Sequence, residues 1–494
     1  MFHSNPITHQ FGALQLTARI LIIFIVVLSA PTAFSWDARW ATAGLGVETG
    51  TDICMDDLGN VYVAGWATIS GRGDDDMVII KYSADGTEQW SHTWDLGYPG
   101  ALYYDQPAGI GVDSAGNVYV SGRARHERSG TQDYDYATIK YNADGVFQWD
   151  ELYDWLGGSS PHGDDKPAGM AVDSAGNVYV TGDSDAEYFT IKYNSAGVVQ
   201  WTERFAADFV GAVSHCTAIA IDDAGNSYIT GYSMDENANW DYVTISYGPS
   251  GGQRWKSRYG QVAAHEFRPR DIAVSSTGTV AVTGEANFGT DVGVFDIATV
   301  LYQANNGTQV WARSWSGTGE DGTFYDYGRA VAFGPDGSVH VAGEGQMTGN
   351  GNDFVAIKYS AGGTEEWVRT HNEVSSSDSD SYDVAYDIGV DLLGNVYVAG
   401  GLQRPNNVWW EFDYAVLQYT PDGTLQNSSF YDSSADLPQD DSALALALNP
   451  DGTFAVTGES WDAYTNYDIA TSQAGSTTGL IFADGFESGN LSGW

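Results

Sequence analysis

Between Ala108 and Tyr153 the chain is written as four short runs of alternating apolar residues, separated by Gly/Asn/Asp turns. Period-2 alternation marks a strand with one buried face, and no helical periodicity appears after residue 35. Close copies of this block follow one another, eight in all, aligned on Gly-Asn-Val-Tyr-Val-x-Gly. The first glycine of that core falls at Gly59, Gly116, Gly176, Gly225, Gly278, Gly337, Gly394 and Gly452, with spacings of 49 to 60 residues. Four antiparallel strands per repeat, arrayed radially, predict an all-β, eight-bladed β-propeller, an arrangement that leaves only short protected edges.

Residue size supports a wedge. Strand a reads apolar, small, apolar in every copy, with Cys54, Gly111, Ala171, Ala220, Ala273, Ala332, Gly389 and Ala447 at the small position. Blades converge towards the axis, so the innermost strand has least room. Strand d instead carries Trp90, Trp149, Trp201, Trp255, Trp311 and Trp367, where blades diverge and bulk is needed.

Gly59–Gly65 (GNVYVAG), Thr138–Gly145 (TIKYNADG) and the following Gln148-Trp149 resemble the SBBP-type β-propeller repeat of secreted bacterial proteins. The resemblance extends over nearly all of the chain after residue 35. It implies a propeller outside the cytoplasm and brings no catalytic residues with it.

The N-terminus fits that expectation. Arg19, the apolar run Ile20–Leu28 and Ala33-x-Ser35 have the layout of a secretory signal peptide cleaved before Trp36, and the run is short for a membrane span. The expected organisation is therefore signal peptide 1–35, propeller 36–478 and a C-terminal tail 479–494. Trp36-Asp-Ala-Arg-Trp40 matches strand d but has no strands a to c before it, while the eighth copy lacks a tryptophan strand at its end. Ring closure by residues 36–40 solves both, although Phe482-x-x-x-Phe486 in the tail competes for the same slot. Cys54 and Cys216 fall in blades too far apart to pair and are read as buried thiols.

Charge narrows the partners. Lys+Arg 21 against Asp+Glu 65 gives a net charge of −44, which repels nucleic acid and anionic membranes. A hydrophobic content of 43% is ample for a packed core, and a soluble monomer is expected.

Antiparallel connectivity puts the a–b and c–d turns on one face and the b–c and d–a loops on the other. The first set is short and uniform, as in Asp113–Asn117 and Asn142–Gly145; the second varies and carries most acids and aromatics. Two acidic positions recur there. One opens strand c (Asp76, Asp135, Glu187, Asp241, Asp296, Asp353, Asp413, Asp468), and the other precedes strand a (Glu48, Asp105, Asp165, Asp326, Asp383, Asp441). Such rings could hold Ca²⁺, but a residue present in every blade more readily serves its own loop by accepting backbone N–H bonds. The run Asp378–Asp383 is a second, local cation candidate. Arg72-Gly-Asp74 is an isolated tripeptide in an acidic loop.

Trp66, Trp409, Trp410 and Trp461 do not recur. They are placed in b–c loops of blades 1, 7 and 8, and are the candidate ligand-binding residues for a glycan or a protein surface. The chain contains no HExxH, nucleophile elbow, P-loop or dinucleotide fingerprint. Asp85–Trp90 (DGTEQW) is similar to the tryptophan motif of quinoprotein dehydrogenases, but their vicinal cysteine pair is missing here. The expectation is a secreted or periplasmic binding or scaffold propeller without catalysis and without a cofactor. An extracellular carbohydrate-active or quinone-dependent enzyme is the alternative.

Overall fold

The computed structural model describes residues 36–474, apart from 42–46, 69–74, 97–103, 129–130, 155–163, 210, 261–265, 289–293, 319–324, 348–350, 373–381, 406–409, 432–440 and 463–465. Eight four-stranded antiparallel sheets form the blades of a ring. Seven are consecutive in sequence, with strands a to d running from Glu48–Met55 to Glu88–Trp94 in blade 1 and from Val384–Val390 to Leu425–Tyr431 in blade 7.

The eighth blade joins the two ends of the chain. Trp36–Trp40 pairs antiparallel with Asn466–Ala474, outside Phe454–Asp462 and Asp441–Leu448. Trp36 lies opposite Gln473 just as Trp90 lies opposite Lys81 in blade 1, so the N-terminal strand takes the strand-d register. Blade 8 then packs on blade 1 through Ala445, Ala447 and Ile469 against Ile53, Val61 and Val63. Among the described residues no helix is long and apolar enough to cross a membrane.

The repeat motif explains itself in the turns. Asp113 accepts from the amides of Ala115 and Asn117, from the Asn117 side chain and from the Tyr119 hydroxyl, at 2.7–2.9 Å. Asp56 and Asp222 hold the same four donors in their own blades. The Asn and Tyr of the repeat core therefore exist to satisfy the turn aspartate. Burial alone would raise the Asp113 carboxyl, but the Asn117, Tyr119 and Ala115 bonds hold it below the usual carboxylate range.

Blades are latched to one another by strand d. The indole N–H of Trp90, Trp149, Trp201, Trp255, Trp311 and Trp367 donates to a c–d turn carbonyl of the next blade, at 2.9–3.4 Å. In four of these turns a strand-c lysine (Lys81, Lys140, Lys192 or Lys358) donates to the same oxygen. The indole lies against a turn glycine of positive φ. A Cβ on Gly145 would stand 2.7 Å from the Trp90 ring, so that glycine is required by space as well as by φ.

The latch has two separable parts. Trp255→Phe keeps most of the packing and loses the N–H bond to Ala304, which should cost ~1 kcal/mol. Trp255→Ala removes a buried indole and should cost ~3–5 kcal/mol. Denaturant titration of both variants checks the ratio; equal losses would show that packing of the indole contributes nothing.

Candidate functional site

Strand a carries a β-bulge in every blade, with Thr51, Ala108, Ala168, Thr217, Arg270, Arg329, Tyr386 and Leu444 as the extra residues. These residues line a cavity of about 410 Å³ on the axis of the ring. The bulge turns the inner edge of strand a towards the axis, where an edge strand would otherwise present bare amides.

Three aspartates cap that edge. Asp52 accepts from Ile53 at 2.9 Å and from Ile110 of the next blade at 2.8 Å. Asp271 accepts from Ile272 and Val331, both at 2.8 Å, and Asp387 from Ile388 and Leu446, both at 2.7 Å. Each carboxylate thus joins two blades. All three are half-buried and line the cavity. Burial pushes Asp52 and Asp271 up to about 6 against the pull of their amide bonds. Asp387 reaches about 7, because burial is joined by repulsion from Asp271 and Asp52.

Above the bulge the eight copies stop resembling one another. Directly after the last glycine of the repeat core, strand b carries Trp66, Arg123, Asp183, Tyr232, Glu285, Glu344, Gly401 and Glu459 in turn. Opposite them in strand a stand Thr49, Gln106, Lys166, His215, Arg268, Tyr327, Val384 and Ser442. Tyr62 and Ala64 pack on Ile110 and Val118 of blade 2, and Trp66 continues the same side of its strand. Each strand-b residue therefore faces the next blade, where it meets that blade's strand-a residues at the channel mouth.

The contacts run around this mouth. His215 Nδ1 lies 2.7 Å from Asp183, and Arg268 stands 5.7 Å from the Tyr232 ring centre, with the Trp240 ring edge-on to Tyr232 at 5.0 Å. Arg270 forks onto buried Glu285 at 2.6 and 3.0 Å and lies 5.4 Å from Tyr327. Arg329 bonds buried Glu344 through Nε at 3.0 Å and covers Tyr386 at 5.2 Å. Tyr325 and Tyr382 extend the aromatic surface and are 42% and 45% exposed. Guanidinium–aromatic stacks and fork-shaped ion pairs fix their own orientation, so the mouth is a pre-formed polar and aromatic surface.

The two recurring carboxylate rings are largely absorbed by structure. At the start of strand c, Glu187, Asp241 and Asp468 pair with Arg204, Arg258 and Arg39 at 2.9–3.0 Å, and Asp353 accepts from Asn372 at 2.8 Å. Asp105 binds the amides of Leu96 and Arg125, and Asp326 those of Gly317 and Gln346, which staples the d–a loop to strand b. Asp135, Asp154 and Asp165 have ligand oxygens within 4.8 Å of one another and are the residues that could hold a hard cation such as Ca²⁺.

Several sequence expectations need correction. Trp66 and Trp461 lie in strand b and Trp410 in strand c, rather than in loops, because these hairpins extend past the body of the blade. Trp66 is half-buried; the side chains of Trp410 and Trp461, and Trp409 altogether, lie outside the described residues, as do Arg72–Asp74, most of Asp378–Asp383 and the tail. Cys216 lies in strand a of blade 4 (Ser214–Ile221), beside the bulge. Both cysteines are free thiols, Cys216 buried and Cys54 only partly so. The channel aspartates and the variable mouth residues other than Trp66 were missed. Their signal was in the aligned copies: Asp at 52, 271 and 387 where the others have Gly or Ala.

The chain carries SBBP β-propeller repeats, whose family profile matches residues 96–126 and 156–189. No curated protein matches the sequence. Among solved structures the chain is similar to the quinohemoprotein alcohol dehydrogenase of Comamonas testosteroni, at 11% identity and TM-score 0.54, covering 90% of this chain and 77% of that one. It is also similar to a europium-containing methanol dehydrogenase, at 10% identity and TM-score 0.50, covering 88% and 92%. The WD40 domain of SCAP from fission yeast matches at 10% identity and TM-score 0.39, covering 90% and 99%. These likenesses are of fold.

The channel carboxyls give stability a distinctive pH dependence. Their folded pKa values of about 6 to 7 lie above the ordinary 3.8, so the folded chain holds protons that the unfolded chain has released. Their contribution is full below pH ~4 and is lost as pH rises through ~6–7. Turn aspartates such as Asp113 act oppositely and only at lower pH. Melting temperature should therefore rise between pH 8 and pH 5. The Asp52→Asn/Asp271→Asn/Asp387→Asn variant, whatever its absolute stability, should show a flatter slope; an unchanged slope would refute the assignment.

Proposed function

We propose that this chain is an exported, non-catalytic glycan-binding propeller whose ligand occupies the channel mouth on the b–c face. One observation carries the reading: within eight near-identical repeats, the residues that differ from blade to blade converge on that mouth. The blade fold has no need of a tryptophan, an arginine or a histidine there, because other blades do with glycine or serine. Half-exposed aromatics beside oriented guanidinium and carboxylate groups are what a sugar requires, stacking for its apolar face and paired donors and acceptors for its hydroxyls.

Trp66 is the member of the site whose surroundings are described. Trp409, Trp410 and Trp461 remain candidates from the sequence; Trp410 and Trp461 stand on strands of blades 7 and 8, which ring closure makes neighbours of blade 1. Export rests on Arg19, the apolar run Ile20–Leu28 and Ala33-x-Ser35. A second reading, glycan hydrolysis, is favoured by one observation: the Asp387 carboxyl, raised to about 7, borders the cavity beneath the mouth.

A glycan array probed with the purified protein tests both readings. Binding should fall at least ~10-fold in Trp66→Ala, and also when Trp409, Trp410 and Trp461 are replaced together by Ala, with melting temperature unchanged. Early melting would make these residues packing, and undiminished binding would place the site elsewhere. Shortened oligosaccharide after incubation with the wild type, lost in Asp387→Asn, would establish the hydrolytic reading instead.

A further inference from the structure

The sequence charge of −44 argues against anionic partners, but cations gather at one place on the mouth, between blades 1 and 3. Three cations surround one tyrosine there. The Arg123 guanidinium lies 5.1 Å, the Arg125 guanidinium 5.9 Å and the Lys166 ammonium 5.5 Å from the centre of the Tyr134 ring. They come from two blades, Arg123 and Arg125 from strand b of blade 2 and Lys166 from strand a of blade 3.

Two of them are held without a buried carboxylate partner among the described residues. Arg123 donates to the Gln106 side-chain carbonyl and, among the described residues, pairs with no carboxylate. Lys166 has Asp164 at 2.8 Å, but both side chains are more than 40% exposed, and such a surface pair is readily exchanged. Asp183, opposite Lys166 in the sheet, is already committed to His215 and the Cys216 amide. In a chain with three acids for every base, a half-buried arginine held without a carboxylate is the exception. Gln106 also fixes its aim: its Nε2 is anchored on Asp75 at 2.9 Å while its oxygen receives the guanidinium.

Beside this group stands a free aromatic face. Trp66 occupies the register of Arg123 one blade earlier and points into the junction that holds Gln106. It is half-buried and, among the described residues, meets no other aromatic ring and makes no side-chain hydrogen bond. A planar fork that matches a carboxylate, a second cation, and an indole face one junction away describe a receptor for a sugar ring that bears a carboxylate.

We propose that the mouth between blades 1 and 3 binds an acidic glycan of the uronic-acid class. Arg123 receives the carboxylate in a two-pronged bond, Lys166 supplies the second charge, and Trp66 stacks on the pyranose. The inference rests on the glycan-binding reading above and names its ligand. Long-range repulsion from the rest of the chain reaches only ~8 Å at physiological ionic strength, so short oligomers rather than long polyanions are the fitting ligands.

The test uses the full-length protein and three probes in calorimetric titration: a short oligogalacturonide, the same oligomer fully methyl-esterified, and a sulfated oligosaccharide of equal length. The acid should bind at least ~10-fold more tightly than the ester, an energy difference of ~1.4 kcal/mol. Arg123→Gln should bring acid and ester affinities to within about twofold of each other, and Trp66→Ala should weaken both. Arg123→Lys keeps the charge without the fork and should lose most of the preference; it serves as the reading if Arg123→Gln melts early. Equal binding of acid and ester would overturn the acidic subsite and leave the glycan reading standing. Preference for the sulfated oligomer would overturn the carboxylate assignment, and failure of all three, together with an empty glycan array, would sink both proposals.

Discussion

The structure depends on the contact by which each blade holds the next. In six blades a tryptophan of strand d reaches a turn carbonyl of the neighbouring blade, joined in four of them by a lysine of strand c, and the indole fits only because glycine ends that turn. The direction of this contact is always forward, from one blade to its successor, as in a solenoid whose stability is a sum of neighbour terms. A linear array built this way would leave two raw ends. Bringing the N-terminal strand into the last blade removes both, because residues 36–40 complete the eighth sheet and that sheet then packs on the first. Closing such a long loop costs little more than closing a short one, since the entropy grows only as the logarithm of length.

The same geometry dictates what happens on the axis. Strand a pairs with strand b on its outer side and with nothing on its inner side, so eight strands turn unpaired amides towards one channel. A bulge in each strand tilts that edge. Three carboxylates then take six of the amides, each joining a blade to its successor. This is an inner latch that complements the outer tryptophan latch. Its chemistry differs, because a half-buried carboxyl repelled by two others resists ionisation, whereas an indole does not titrate. The indole part of the outer latch does not change with pH, and the inner latch does.

The blade count, the strand order, the role of glycine and tryptophan, and closure by residues 36–40 were legible in the sequence because each is stated eight times or required once by arithmetic. The channel and its mouth were not, for a physical reason. A bulge adds one residue to one strand and shifts the period-2 pattern by a step, so strand a reads as a bare apolar triplet preceded by loop. Thr51-Asp52, Arg270-Asp271 and Tyr386-Asp387 fall at that step and looked like irregular sequence. Aligning copies on what they share also hides what they do not, which is where Arg123, Tyr232 and Glu285 stand. Trp66 drew notice only through its size. Net charge misled differently: a sum over the chain cannot report that Arg123, Arg125 and Lys166 gather about one tyrosine.

Uniformity below and variety above are two aspects of one division. The mouth residues of strand b meet strand-a residues of their own blade or of the next: Arg123 and Glu285 bond Gln106 and Arg270 of their own blades, and Asp183 bonds His215 of the following one. The mouth is therefore a circle of eight separate junctions, and a change in one leaves the latches beneath untouched. A ligand that covers a single junction reads two or three side chains, too few to orient a sugar. One that spans two adjacent junctions reads a pair of different chemistries, such as the indole of Trp66 and the guanidinium of Arg123. Because Arg123 stands on a strand and is held both by its stack on Tyr134 and by the fixed Gln106 amide, it has little rotamer entropy left to lose when the ligand arrives. A repeat protein gains a specific site in this way without departing from its repeat, by varying the few positions that the blade itself does not use.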